Sequence, residues 1–184
     1  MLSRNQAVNL VKKYLKEQDN ICLALAVEAI LRKVAILFNK DQELWGITGL
    51  LHNLDYEYCG SNFQNRGIIS NQILDGLIPE KSVNAIKANN YKYTNYSPIS
   101  SLDKCLIAAI PSAELILYIT KNSSSKKLSD VNLPLVITKV NDSSFAPKFN
   151  RSRINLCEDI GIDLKSFIKL CLNALNKISD ELAL

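Results

Sequence analysis

The side chains most able to do chemistry are concentrated in Trp45-Gly46-Ile47-Thr48-Gly49-Leu50-Leu51-His52-Asn53-Leu54-Asp55-Tyr56-Glu57, which holds the only His and the only Trp of 184 residues. An imidazole can ligate a metal or carry a proton, and Asp55 and Glu57 supply two carboxylates close by. His52 and Asp55 share a helical face, so His52, Asp55 and Glu57 could assemble a makeshift metal site. The plainer account is a His hydrogen-bonded within a pocket. The element that must position it is a helix: Trp45, Gly49 and His52 fall on one face, Asp41 can cap the start, and Glu43 suits the positive end of the dipole. Gly49 inside that helix costs about 1 kcal/mol against Ala. A neighbouring backbone packed close would justify it, so Trp45–His52 is predicted to be crowded and buried.

Composition bounds the rest. A hydrophobic share of 47% and 22% charged residues suit one soluble core and are short for two domains. A net charge of +4 permits phosphate contact without announcing a nucleic-acid binder. Cys22, Cys59, Cys105, Cys157 and Cys171 are odd in number, form no Cys-x-x-Cys pair and sit mostly in apolar patterns, which reads as small buried hydrophobes. The start of the chain reads as an amphipathic helix rather than a signal peptide, and no stretch is apolar for long enough to span a membrane. The expected location is therefore cytoplasmic and reducing.

Helical periodicity runs along the whole chain. Ser3 and Gln6 form a capping box for a first helix ending near Glu17. Asp19 or Asn20 would cap a second, Ile21–Phe38, apolar on almost every side and therefore central. After Trp45–His52 come short helices around Ile68–Leu74 and after Pro79. Asn89 to Pro98 is a polar loop with three tyrosines, readable as a base-stacking platform but carrying one basic residue, which is too few for a phosphate track. Ser101 would cap a long apolar helix that Pro111 should kink. Lys121 to Lys127 is a surface loop. Leu135–Val140, Arg151–Asp159 with Gly161 as a stop, and a last helix capped by Asp163 complete eight or nine helices. The expected fold is all-α, a single domain over 1–184.

Gly49-Leu50-Leu51-His52-Asn53-Leu54-Asp55-Tyr56-Glu57 resembles the GLLHDxDYE signature of HD-domain phosphohydrolases, with Asn53 where that family has the Asp. Leu25-Ala26-Val27-Glu28-Ala29-Ile30, Ser97-Pro98-Ile99, Ala108-Ala109-Ile110-Pro111 and Phe145-Ala146-Pro147-Lys148-Phe149-Asn150-Arg151 are similar to further segments, in order, of its small bacterial and archaeal members. The resemblance implies an HD-type helical bundle. It also implies a metal held by His and Asp side chains, which would acidify a bound water for phosphoester hydrolysis. Carried over residue by residue, the ligand positions fall on Leu23, His52, Asn53, Arg66, Asn89 and Ile110. Of these only His52 can serve as such a ligand: Leu and Ile cannot coordinate, and Asn is a poor neutral substitute for a carboxylate.

The resemblance thus implies a degenerate member: no divalent metal or other cofactor, no catalytic residues beyond a relic pocket of His52, Asn53 and Asp55, and a non-catalytic binding or regulatory role. The alternative is a phosphohydrolase, acting on nucleotides or phosphomonoesters, with an atypical metal site. Leu23 and Ile110 are expected to be buried near His52, filling the volume of the lost metal. Carboxylates are lost at Asn53 and Ile110 and a guanidinium is gained at Arg66. A phosphate or nucleotide held by Arg66 with Asn53, Asn89 or His52 is therefore the expected ligand. Nucleic acid and membrane are not expected partners.

Overall fold

The computed structural model describes residues 2–146 and 149–184, so Met1 and the Pro147-Lys148 pair of the last resembling segment lie outside the described residues. The fold is all-α, and no strand occurs among the described residues. Helices α1 (Arg4–Tyr14), α2 (Gln18–Leu37) and α3 (Gln42–Leu50) come first, followed by the single turn α4 (Tyr56–Cys59). Next are α5 (Ile68–Leu74), α6 (Glu80–Ala88), the turn α7 (Tyr91–Thr94) and the long α8 (Ser101–Asn122). Helix α9 (Leu133–Asn141), a 3₁₀ segment over Arg151–Ile160, α10 (Leu164–Asn176) and the turn α11 (Ser179–Leu182) close the chain. No helix among the described residues is long and apolar enough to cross a membrane.

Helices α2 and α8 are buried on most of their surface and form the middle of one continuous core. Helix α3 packs chiefly on α2, and the 3₁₀ segment packs on α8. Gly49 is what lets α3 approach: a Cβ there would lie 2.9 Å from the Val27 carbonyl oxygen and 3.1 Å from Glu28 Cα. The crowding expected from a mid-helix glycine is therefore present, and its partner is the α2 backbone. Trp45 is buried beside Phe38, with ring centroids 6.3 Å apart. Buried Glu28 on α2 is held by two guanidinium groups, Arg4 Nε at 2.8 Å and Arg32 Nε at 2.9 Å.

Several boundaries differ from expectation, each for a tertiary reason. Helix α1 stops at Tyr14 rather than near Glu17, and α2 starts at Gln18 with neither Asp19 nor Asn20 as its cap. The amides of Lys16 and Glu17 instead donate to the Glu57 carboxylate at 2.9 and 3.0 Å, and Asn20 Nδ2 adds a third bond at 2.8 Å. A carboxylate forty residues downstream thus holds the turn that leads into α2, and the same bonds account for the lowered pKa of Glu57: against burial, they favour the charged form. Glu57→Ala is expected to cost about 1 kcal/mol in urea unfolding, the usual net worth of such hydrogen bonds; an unchanged midpoint would dispose of this role. Ser100, not Ser101, caps α8 through a capping box with Asp103. Helix α8 also runs uninterrupted through Pro111, whose surroundings are buried on every side. The expected loop at Asn89–Pro98 contains α7, whose Tyr93 stacks on Phe63 at 5.6 Å. All five thiols are buried and unpaired.

Candidate functional site

A cavity of about 140 Å³ opens where the end of α3, the start of α5, the end of α6, α8 and the 3₁₀ segment meet. Leu23, His52, Asn53, Arg66, Asn89 and Ile110 all line it. These are the six positions singled out above, brought to one place from five separate stretches of chain. Asp55 and Tyr56 line it as well, together with two charged residues not foreseen, Glu114 and Arg153.

His52 lies just past the last turn of α3 and is 4% exposed. Its Nδ1 sits 2.7 Å from the Gly49 carbonyl oxygen, which can only accept, so Nδ1 carries the proton and Nε2 is a bare acceptor. Burial pulls its pKa down to about 4, and the Arg153 charge adds to this, so the ring is neutral at physiological pH. Asn53, 6% exposed, donates from Nδ2 to the Asn20 carbonyl at 3.4 Å, which leaves its Oδ1 buried without a partner. His52 thus offers an acceptor, whereas Asn53 keeps one free Nδ2–H beside its unpartnered Oδ1. The expectation of help from His52 is corrected by its bond to Gly49, because the neutral ring has no second proton to give, while Asn53 can still donate.

Asp55 has a structural task. Its Oδ2 accepts from the amides of Gly67 (2.6 Å) and Ser70 (2.9 Å), and so pins the start of α5. Gly67 is required there: its φ is +83°, and a Cβ would meet the Ile86 carbonyl oxygen at 3.0 Å. Glu57 is spent on α2 and does not line the cavity. The makeshift His52–Asp55–Glu57 site is therefore not assembled. Among the described residues no three His, Cys, Asp or Glu side chains come together to hold a metal ion. The donor set does not fit a catalytic metal.

The cationic side is better furnished. Arg66 precedes Gly67 and is half-buried, its guanidinium lying over the Tyr56 ring at 4.4 Å and the Phe63 ring at 4.5 Å. Its Nη2 donates to the Gly60 carbonyl, while Nε is buried and unpartnered. Asn90 fixes this loop by donating to the carbonyls of Phe63 (2.5 Å) and Arg66 (3.1 Å). Arg153 comes in on the 3₁₀ segment. Its Nη2 donates to both the backbone carbonyl (2.9 Å) and Oδ1 of Asn89, and its Nε is again buried without a partner. Asn89 therefore serves first to hold Arg153, leaving Nδ2 as its remaining donor.

Glu114 lies on α8 one turn beyond Ile110, so both point to the same cavity. Burial pushes its carboxyl pKa up to about 7, with the Arg153 charge pulling the other way. A signal for it existed in the sequence: it is the lone carboxylate in the otherwise apolar run from Leu106 to Ile119. Arg153 carried no such signal, because a basic residue beside Arg151 reads as surface. Ile110 is buried at 7% exposure, whereas Leu23 is half-buried and also faces an adjoining groove of about 260 Å³ with Leu117, Tyr118 and Phe149. Both aliphatic groups line the cavity; Ile110 is buried as expected, whereas the expected burial of Leu23 is only partial.

Comparison with protein-family models, with curated proteins and with solved structures gives no match to this chain, so the family resemblance rests on the sequence motifs alone.

Proposed function

We propose that this protein is a metal-independent binding module for a small oxyanion such as phosphate, built on an HD-type helical bundle that no longer performs the hydrolysis of the family it resembles. The observation that carries the reading is a pair of guanidinium groups, Arg66 and Arg153. They come from separate elements, line one cavity, and each keeps a buried Nε without a partner. A buried unpaired N–H costs free energy, and a planar fork is suited to an oxyanion, so a bound anion relieves both sites. The HD-type reading draws support from the meeting of its six motif-derived positions in that cavity. The non-catalytic reading draws support from the commitments of Asp55 and Glu57, which leave no carboxylate pair to hold a metal or activate water.

Isothermal titration with inorganic phosphate tests the proposal. The parent should bind it unaffected by EDTA, and Arg66→Ala and Arg153→Ala should each weaken binding about tenfold or more, the worth of a charge-assisted bond. Arg153→Lys, which keeps the charge but loses the fork, should fall between. Equal binding by the parent and both alanine variants would refute the site. Phosphomonoester hydrolysis that EDTA abolishes would refute the non-catalytic role.

A further inference from the structure

The cavity offers more acceptors than an anion site needs. Lining it with the two arginines are His52, whose Nε2 has no proton, Asn53, whose Oδ1 is buried and unpartnered, and Glu114. Two of the three have no donor to offer. The Gly49 carbonyl fixes the His52 tautomer and a carboxylate has no donor unless protonated, whereas the Asn53 amide keeps one N–H beyond its bond to the Asn20 carbonyl. A fully ionised oxyanion would bring no donor for Glu114 and would set its own lone pairs against that carboxylate, at the cost that buried unpaired polar groups carry.

We infer that the anion taken by this cavity is one that keeps a proton, inorganic hydrogen phosphate, and that its O–H donates to the Glu114 carboxylate while its ionised oxygens face Arg66 and Arg153. The inference rests on the oxyanion-binding reading and adds the chemical class and the residue that selects it. No covalent step is involved: one proton is shared between ligand and carboxylate. Sulfate, which has no proton at neutral pH, would set an oxygen lone pair against Glu114. A phosphate monoester that has lost both protons would do the same.

Charged or titratable groups facing Glu114 across the cavity and the adjoining groove are few. Asp19 and Lys121 are paired with each other at 2.5 Å, Asp55 is bonded to backbone amides, His52 is neutral, Tyr56 and Tyr118 bring phenol groups, and Arg66 and Arg153 bring guanidinium groups. Burial raises the carboxyl pKa, and of these charges Arg153 is the one that draws it back down. Its elevated pKa has a consequence for selectivity. In mild acid Glu114 is itself protonated and can donate to any oxyanion, so discrimination should be weak there and strong once it ionises.

The test is titration calorimetry with inorganic phosphate, sulfate and methyl phosphate at matched ionic strength, at pH about 6 and about 8.5, on either side of the Glu114 ionisation. At the higher pH the parent should bind phosphate about tenfold or more tighter than sulfate or methyl phosphate, as for one hydrogen bond to a charged group. The gap should narrow at the lower pH. Glu114→Gln, whose amide can donate, should bring the three affinities close together at both. Sulfate binding the parent as tightly as phosphate at the higher pH would overturn the inference while leaving the oxyanion reading intact. The same ratio in Glu114→Gln as in the parent would also overturn it. If no anion binds the parent at either pH, the oxyanion reading and this inference fall together.

Discussion

Between about pH 4.5 and 7 the stability of the parent is expected to stay nearly level, because His52 and Glu114 titrate there in opposite senses. His52 falls from an ordinary 6.5 to about 4 in the folded chain, so the unfolded chain binds the proton first. Its contribution is present above pH 6.5 and is lost as pH falls toward 4. Glu114 rises from 4.5 to about 7, so the folded chain binds the proton first. Its contribution is present below pH 4.5 and is lost as pH rises through 7. Each limb has a slope of up to ~1.4 kcal/mol per pH unit. His52 is almost wholly enclosed, which puts its limb on the order of 3 kcal/mol; Glu114 is half-buried and screened, which holds its limb nearer 2 kcal/mol. Removing one limb should reveal the other. His52→Gln should become more stable by about 2 kcal/mol on going from pH 7 to 4.5, and Glu114→Gln less stable by on the order of 2–3 kcal/mol. Urea unfolding at several pH values, in buffer free of phosphate and sulfate, reads both slopes. Two variants that simply track the parent would show that neither group titrates as its surroundings require.

Gly49→Ala should lower stability by about 2 kcal/mol, against the ordinary rule for a mid-helix glycine. In an open helix the same change would stabilise by about 1 kcal/mol. Here the new methyl would lie 2.9 Å from the Val27 carbonyl oxygen and 3.0 Å from its carbon, both backbone atoms of a buried helix that cannot retreat cheaply. Overpacking of this kind costs typically about 1–3 kcal/mol, and it must also cancel the gain in propensity. Pushing α3 outward would further move the Gly49 carbonyl, which holds the His52 ring, so oxyanion affinity should fall together with stability. A urea midpoint for Gly49→Ala at or above the parent's would show that α2 and α3 are not in this contact. Gly49→Val should fail to fold.

Much of the framework was legible in the order of residues because its causes are local. Helical periodicity, the Asp41 and Asp163 caps, the Ser3–Gln6 capping box and the left-handed Gly161 stop depend on neighbours within a turn or two, and the all-α architecture follows from them. The six candidate positions were also picked out in sequence, through the motifs that bear the resemblance, and they line one cavity. What each does there was not legible, because hydrogen-bond roles depend on partners far along the chain. Asp55 and Glu57 have the same side-chain chemistry as any free carboxylate. Only packing assigns them to the amides of Gly67 and Ser70 and to the start of α2. His52 could donate or accept from either nitrogen in isolation, and it is the Gly49 carbonyl that makes its Nε2 an acceptor. Arg153 and Glu114 entered the cavity because the 3₁₀ segment lies along α8, a pairing that no periodicity encodes. Sequence determined which elements form and which residues could meet, since those are matters of local conformation and hydrophobic pattern. The direction of each proton and the balance of charge in the cavity belong to the tertiary structure, because both are set by whichever groups burial brings within hydrogen-bonding reach.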